Sequence, residues 1–185
     1  MATPTKENLL PALSYDEAST ETQGIFDNLK KAVGKVPNLY ASIGNSSHAL
    51  GANLAFDDAL GKGTFKTVEK EIIKLASSQA NNCAYCIAAH TAILKMNKFD
   101  DAETLKIRQG TASNQKHAAI AQLAFDITDS AGHPSQGSLD DFFAAGYDSA
   151  ALSEVIAIVA LNIMNNYIHH IGQVAVDFPA PPALD

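Results

Sequence analysis

An all-α fold is predicted, and three features of the sequence predict it. Apolar residues recur at helical spacing along most of the chain, while the alternation expected of a half-buried strand is hard to find. A capping residue followed three positions later by an acid recurs before the apolar runs, as Ser14 with Glu17, Asp100 with Glu103 and Ser138 with Asp141. Glycines stand where those runs should end, at Gly34, Gly61, Gly110, Gly132 and Gly146. The expected architecture is a helical bundle, and a length of 185 residues suits a single domain, 1–185, able to bury a core.

In chain order, Ser14 and Glu17 open a helix of roughly 15–33, which Gly34 ends. Pro37 and Asn38 start a short helix and then a longer one, broken around Asn45 to Ser47 and ended by Gly61 and Gly63. Thr67 caps a helix over 68–80, whose Val68, Ile72, Ile73, Leu75 and Ala76 form one apolar face. Asn81 and Asn82 interrupt it, and Asn82 is expected to cap a second helix from Cys83 to about Asn97. Asp100 starts a helix to Gln109, closed by Gly110, and another runs from about Asn114 to Ser130, closed by Gly132. After a loop over 132–137, Ser138 begins a short helix that Gly146 stops. Asp148 or Ser149 then caps the last long helix, about 150–173. Its stripe of Val155, Ile156, Ile158, Val159 and Ile163 is expected in the core or at an oligomer contact. The three prolines of the terminal DFPAPPALD call for an extended tail.

A short internal echo links EIIKLA at 71–76 to EVIAIV at 154–159, each followed by asparagine-rich sequence. Read as a repeat, it makes the chain two related helical halves of which only the first carries cysteines.

Composition excludes several classes of function. Hydrophobic residues make up 46% and charged residues 18% without any low-complexity tract, as in a globular rather than a disordered chain. Thirteen basic against twenty acidic residues leave a net charge of −7 with scattered lysines, which argues against nucleic acid as a partner. The N-terminal MATPTKENLLPALSYDEAS lacks the basic and apolar regions of a signal peptide, and the longest apolar run, 155–164, is about half of what a bilayer demands. A cytosolic location away from membranes is therefore expected. No haem, flavin or nicotinamide motif is visible, since Gly51, Gly61 and Gly63 do not form G-x-G-x-x-G, and no cofactor is expected.

Both cysteines lie in NCAYCIAAH, residues 82–90. Three residues of helix bring the Cys83 and Cys86 α-carbons to roughly 5 Å, within disulfide range. A position in the first helical turn favours thiolate through unpaired amides and the helix dipole. His90, four residues past Cys86 and seven past Cys83, falls on the same face and suits proton transfer. On a straight helix Glu71 would lie about 18 Å from Cys83, and only a bend at Asn81–Asn82 can bring it back. The pattern alone fits unreactive buried thiols, a metal clamp or a reactive dithiol.

Glu71, eleven residues, Cys83, two residues, Cys86, three residues and His90 together resemble the signature of the alkylhydroperoxidase D-like branch of the carboxymuconolactone decarboxylase superfamily. VGKVPNLYASIGNSSHALGANLAFDDAL at 33–60 looks like that family's lead-in, and ALNIMNNYIHHIG like its second helical repeat. The resemblance implies an all-helical subunit that forms trimers or hexamers, and thiol peroxidase chemistry. Cys86 matches the peroxidatic cysteine, which attacks the peroxide to give a sulfenic acid, and Cys83 the resolving thiol, which closes the disulfide. Glu71 and His90 match a proton relay. The implied partners are a hydroperoxide substrate and a dithiol reductant, for which a lipoylated protein is the family's precedent. Tyr85 departs from the histidine that the family's best-studied form carries there, and a phenol with a pKa near 10 is a poor base at neutral pH.

Two other functions compete. Lactone decarboxylation of the carboxymuconolactone type shares the fold but does without the cysteine pair. A non-catalytic zinc-binding helical oligomer could use Cys83, Cys86, His90 and Glu71, though their spacing on one helix makes a tetrahedral site awkward. His169 and His170, with Asn165, Asn166 and Tyr167, occupy the matching place in the second half and are expected to make structural hydrogen bonds. His48, His117 and His133 are assigned no role.

Overall fold

The computed structural model describes residues 9–184; residues 1–8, where part of the signal-peptide reading falls, and Asp185 lie outside the described residues. Among the described residues there are nine helices and no strand: α1 Thr20–Val33, α2 Asn38–Ile43, α3 Ser47–Leu60, α4 Thr67–Ala80, α5 Ala84–Met96, α6 Asp101–Arg108, α7 Gln115–Asp129, α8 Gln136–Ala144 and α9 Ser149–Gly172.

Helix α4 is the centre of the bundle, with α5, α7 and α9 packed around it. Its Ile72, Ile73, Leu75 and Ala76 meet Ile120 and Leu123 of α7, Phe142 of α8 and Val155, Ile158 and Val159 of α9. A second cluster gathers Phe26 of α1, Leu39 and Ile43 of α2 and Leu50 of α3 around Cys83, Tyr85, Cys86 and Ala89. The dithiol therefore starts out inside a core. Burying each of these large apolar side chains contributes about 1.5–3 kcal/mol, which holds the α4–α5 corner against α9.

Four boundaries differ from the sequence expectation. Ser14 does donate to the Glu17 carboxylate, through N–H at 2.9 Å and Oγ at 2.6 Å, but this pair closes only a turn over 15–17. The Gln23 side-chain amide caps the carbonyls of Tyr15 and Ala18, and the helix starts after Ser19, whose Oγ accepts the Thr22 N–H. Thr67 is the first residue of α4 rather than its cap; the Lys66 N–H instead bonds the Glu69 carboxylate. Helix α8 begins three residues early because Ser135, held by the Asp126 carboxylate of α7, caps Ser138. The fourth difference, at Cys83, belongs to the site below.

Helix α9 has 24 residues and a mean hydropathy of 1.4 over its most apolar stretch, enough to cross a membrane by length and composition. Its Val155, Ile158 and Val159 are packed in the core instead. Whereas α4 breaks at Asn81, α9 runs unbroken through Asn165 and Asn166, so the echo between the two segments does not extend to the corner.

The tail after α9 is extended, as expected, but it does not leave the surface. The Asp177 carboxylate accepts from Lys35 Nζ at 2.8 Å and from the Asn38 N–H at 3.3 Å, and the Pro182 carbonyl accepts from buried Arg108 at 2.6 Å.

Candidate active site

Helix α4 ends in a left-handed residue, Asn82 at φ 53°, with the Cys83 N–H donating to the Ser78 carbonyl and the Asn82 N–H to that of Gln79. This is a Schellman stop, and asparagine tolerates its positive φ better than most residues. Asn82 thus terminates α4 and does not cap α5, contrary to the sequence expectation. The cap of α5 is Cys83 itself, whose Sγ accepts the Cys86 N–H at 3.4 Å.

Both cysteines are free thiols, 0% and 2% exposed for Cys83 and Cys86. They titrate as a pair. A hydrogen bond from the Cys86 thiol, outweighing burial and helped by backbone N–H groups, lowers the Cys83 pKa. The same hydrogen bond, then burial and the Cys83 charge, pushes Cys86 well up. The first proton leaves the pair at the helix cap, and Cys86 keeps the shared one.

The bend returns Glu71 to α5. Its Oε2 lies 2.7 Å from His90 Nδ1, and the carboxylate is only 6% exposed. Burial works to raise the Glu71 pKa, but the His90 charge and hydrogen bond, with Lys74 behind, bring it down to about 2. Lys74 lies 3.5 Å from Glu71 Oε1 and 2.8 Å from Asp57 Oδ1. On the far side of the ring, Nε2 stands 3.2 Å from Asn162 Oδ1. The orientation of that amide is set by its Nδ2, which donates to the Lys74 carbonyl and to Ser77 and Ser78. The two ring nitrogens face side-chain oxygens, a carboxylate on one side and an amide on the other. Neither ring nitrogen hydrogen-bonds to a thiol.

A cavity of about 410 Å³ opens beside these groups, walled by Leu39, Tyr40, Tyr85, Ala89, Ile93 and Phe178, with Cys86, His90 and Asn165 among its lining. Cys83 does not reach it. Tyr85 contributes its ring only. Its hydroxyl turns away, donating to Asp177 Oδ1 at 2.6 Å and accepting the Leu39 N–H at 3.1 Å. Burial and the Asp177 hydrogen bond push its pKa far above the ordinary phenol range. Tyr85 therefore fastens the tail, placing Phe178 edge-on at 5.6 Å, and takes no part in proton transfer at the thiols. In Tyr85→Phe the buried Leu39 N–H loses its acceptor, at about 1–3 kcal/mol. Hydrogen exchange over 174–184 is expected to speed up relative to α4.

The structure pairs Glu71 with His90 and Cys83 with Cys86, and it places Cys86 and His90 on one cavity. It adds groups that sequence reasoning passed over: Asp57, Lys74, Tyr40, Ser78 and Asn162. Ser78 and Asn166 both stand against the Cys86 thiol. The signal was polar residues on otherwise apolar helix faces, Ser77 and Ser78 in LASSQA and Asn162 and Asn166 in LNIMNN. His169 packs its ring 5.8 Å from that of Tyr85, but its buried Nδ1 has no hydrogen-bond partner among the described residues, so the structural hydrogen bond expected of it is not found there. Among the described residues no three His, Cys, Asp or Glu side chains converge to hold a metal ion.

Residues 48–126 match the carboxymuconolactone decarboxylase family. Among solved structures, the alkylhydroperoxidase AhpD core of an uncharacterized peroxidase-related protein from Ralstonia eutropha shares 20% identity at a TM-score of 0.78, over 96% of this chain and 94% of that one. An uncharacterized peroxidase-related protein from Silicibacter sp. shares 20% at 0.77, over 97% and 95%. The debrominase Bmp8, in a cysteine-to-alanine form with 2,3,4-tribromopyrrole, shares 19% at 0.77, over 92% of each chain. At these identities the likeness is one of fold, the helical fold of the AhpD core. No curated protein matches by sequence.

Proposed function

We propose that this chain, whose residues 48–126 belong to the carboxymuconolactone decarboxylase family, is a thiol-dependent peroxidase that reduces organic hydroperoxides through Cys86 and Cys83. The observation that carries this reading is that Cys86 alone of the two thiols faces the cavity, with Cys83 directly behind it.

Cys83 is the more acidic thiol and Cys86 the accessible one. Passing the Cys86 proton to the Cys83 sulfur puts the thiolate where the peroxide can be met. The Cys86 thiolate attacks the outer peroxide oxygen, an S–O bond forms as O–O breaks, and the leaving alkoxide takes a proton, giving alcohol and sulfenic acid. His90, held by Glu71 and Asn162, is the donor at hand beside the cavity. The Cys83 sulfur then displaces water from the sulfenic acid and closes the disulfide, and a dithiol of the lipoyl class reopens it by exchange. The aliphatic and aromatic walls favour an apolar R group over hydrogen peroxide. Exposed Ile156, Tyr167 and Ile171 on α9 suit a subunit contact, in keeping with a homo-oligomeric trimer or hexamer.

A second reading rests on the likeness to Bmp8 and on the size of the apolar cavity, which suits a small aromatic ring. Two thiols can turn a carbon–bromine bond into carbon–hydrogen, releasing hydrogen bromide as they become a disulfide, with the same electron count as peroxide reduction.

The discriminating test is the intact mass of fully reduced protein after one equivalent of an organic hydroperoxide, and separately of a bromopyrrole. A prompt loss of two hydrogens mapped to Cys83 and Cys86, with one hydroperoxide consumed per subunit, is expected. Thiols that stay reduced while hydroperoxide persists would sink the peroxidase reading. Oxidation by the bromopyrrole alone would establish the second, and turnover of a lactone by a Cys83→Ala, Cys86→Ala protein would point to decarboxylation.

A further inference from the structure

Asn166 is 0% exposed, yet its amide nitrogen has no hydrogen-bond partner among the described residues. Its oxygen is occupied, accepting the Asn81 Nδ2 at 3.0 Å, so the amide is anchored with the N–H₂ end pointing elsewhere. Asn81 stands two residues before Cys83, so that end sits at the same corner as the dithiol, and the amide works to lower the pKa of both thiols. A buried donor left empty costs about 1–3 kcal/mol, a standing penalty with no structural return at this place. Asn162, one helical turn earlier on α9, has both ends of its amide engaged, so of these two asparagines only Asn166 keeps an empty donor.

We propose that Asn166 is a further catalytic residue: its Nδ2–H donates to whichever sulfur of the pair carries the negative charge, and after oxidation to the oxygen on Cys86. The inference rests on Cys83 and Cys86 being a reactive dithiol and adds the group that stabilises its anion. In the neutral dithiol the donor faces a weak acceptor and stays loosely held. Once a thiolate forms, the hydrogen bond becomes charge-assisted and about twice as strong. With the Cys86 N–H already on the Cys83 sulfur at 3.4 Å, the amide supplies a second donor from a different helix. The arrangement works as an oxyanion hole does, with donors fixed before the charge appears. It binds α9 into the chemistry of α5 and explains why an apolar helix carries a buried asparagine there.

The test needs no peroxide. The ultraviolet absorbance of the thiolate is followed against pH in reduced protein, with a Cys83→Ser, Cys86→Ser protein as blank. Asn166→Ala is expected to raise the midpoint by about one unit, a tenfold loss of thiolate on the acid side. Asn166→Asp keeps the shape and the Asn81 contact but replaces the donor with a carboxylate, and should raise the midpoint at least as far. A folded Asn166→Ala with an unchanged midpoint overturns the proposal. Should the alanine protein fail to fold, an aspartate protein that titrates like the parent overturns it as well. A parent protein that leaves hydroperoxide unconsumed while both variants shift would sink the peroxidase reading and uphold the donor role of Asn166.

Discussion

In Cys86→Ser protein, consumption of an organic hydroperoxide is expected to fall on the order of a thousandfold or more, because the serine hydroxyl is a far poorer nucleophile at neutral pH than a thiolate. Cys83→Ser should behave differently. It should consume one equivalent and then stall, with a sulfenic acid on Cys86 that a dione reagent traps. The contrast follows from geometry: Cys86 lines the cavity and Cys83 lies behind it as the cap of α5. If Cys86→Ser kept full turnover while Cys83→Ser lost the first one, the roles of the two thiols would be reversed, as their acidities taken alone would suggest.

Glu71→Gln carries the largest expected effect on stability. The native carboxyl is held down to about 2 against an ordinary 4.5, so its interactions contribute about 3 kcal/mol. The sign follows from the lowered value. The contribution is fully present above pH 4.5, is lost progressively as pH falls, and is gone once pH has passed below 2. Urea unfolding of the parent and Glu71→Gln proteins should therefore differ by about 3 kcal/mol at neutral pH. That gap should narrow through the acid range. A constant gap from pH 6 to 3 would mean that the carboxylate charge is not what Lys74 and His90 stabilise. Peroxide turnover should also drop, by about a hundredfold, since the imidazole loses the carboxylate that orients it beside the cavity.

Much of the fold was legible because helix signals are local. Asp100 caps α6 through the Glu103 N–H, Asn114 caps α7, Asp148 caps α9, and Gly34 ends α1 at φ 82°, each within a few residues of chain. Where two local signals competed, the sequence could not rank them. The caps expected at Ser14 and Ser138 lie instead at Ser19 and Ser135, where contacts with Gln23 and with Asp126 of α7 fix the chain. Asn82 is acceptable both as a helix start and as a left-handed stop. The second was selected by the Cys83 N–H closing on the Ser78 carbonyl.

The sequence by itself determined that the chain is all-helical and that a bend falls at Asn81–Asn82, while Glu71 was joined to Cys83, Cys86 and His90 only through a resemblance to a family signature. The helices and the bend are matters of period, capping and spacing, carried by neighbours along the chain. Only the tertiary structure decided that Glu71 reaches His90, that Asn162 and Asn166 approach from 72 and more residues away, that the tail is pinned through Tyr85, and that Cys86 rather than Cys83 meets the cavity. The physical reason is that burial chooses these neighbours. Helix α9 is drawn onto α4 by its apolar stripe, and the polar groups carried in with it must then find partners in the only space left to them, around the dithiol.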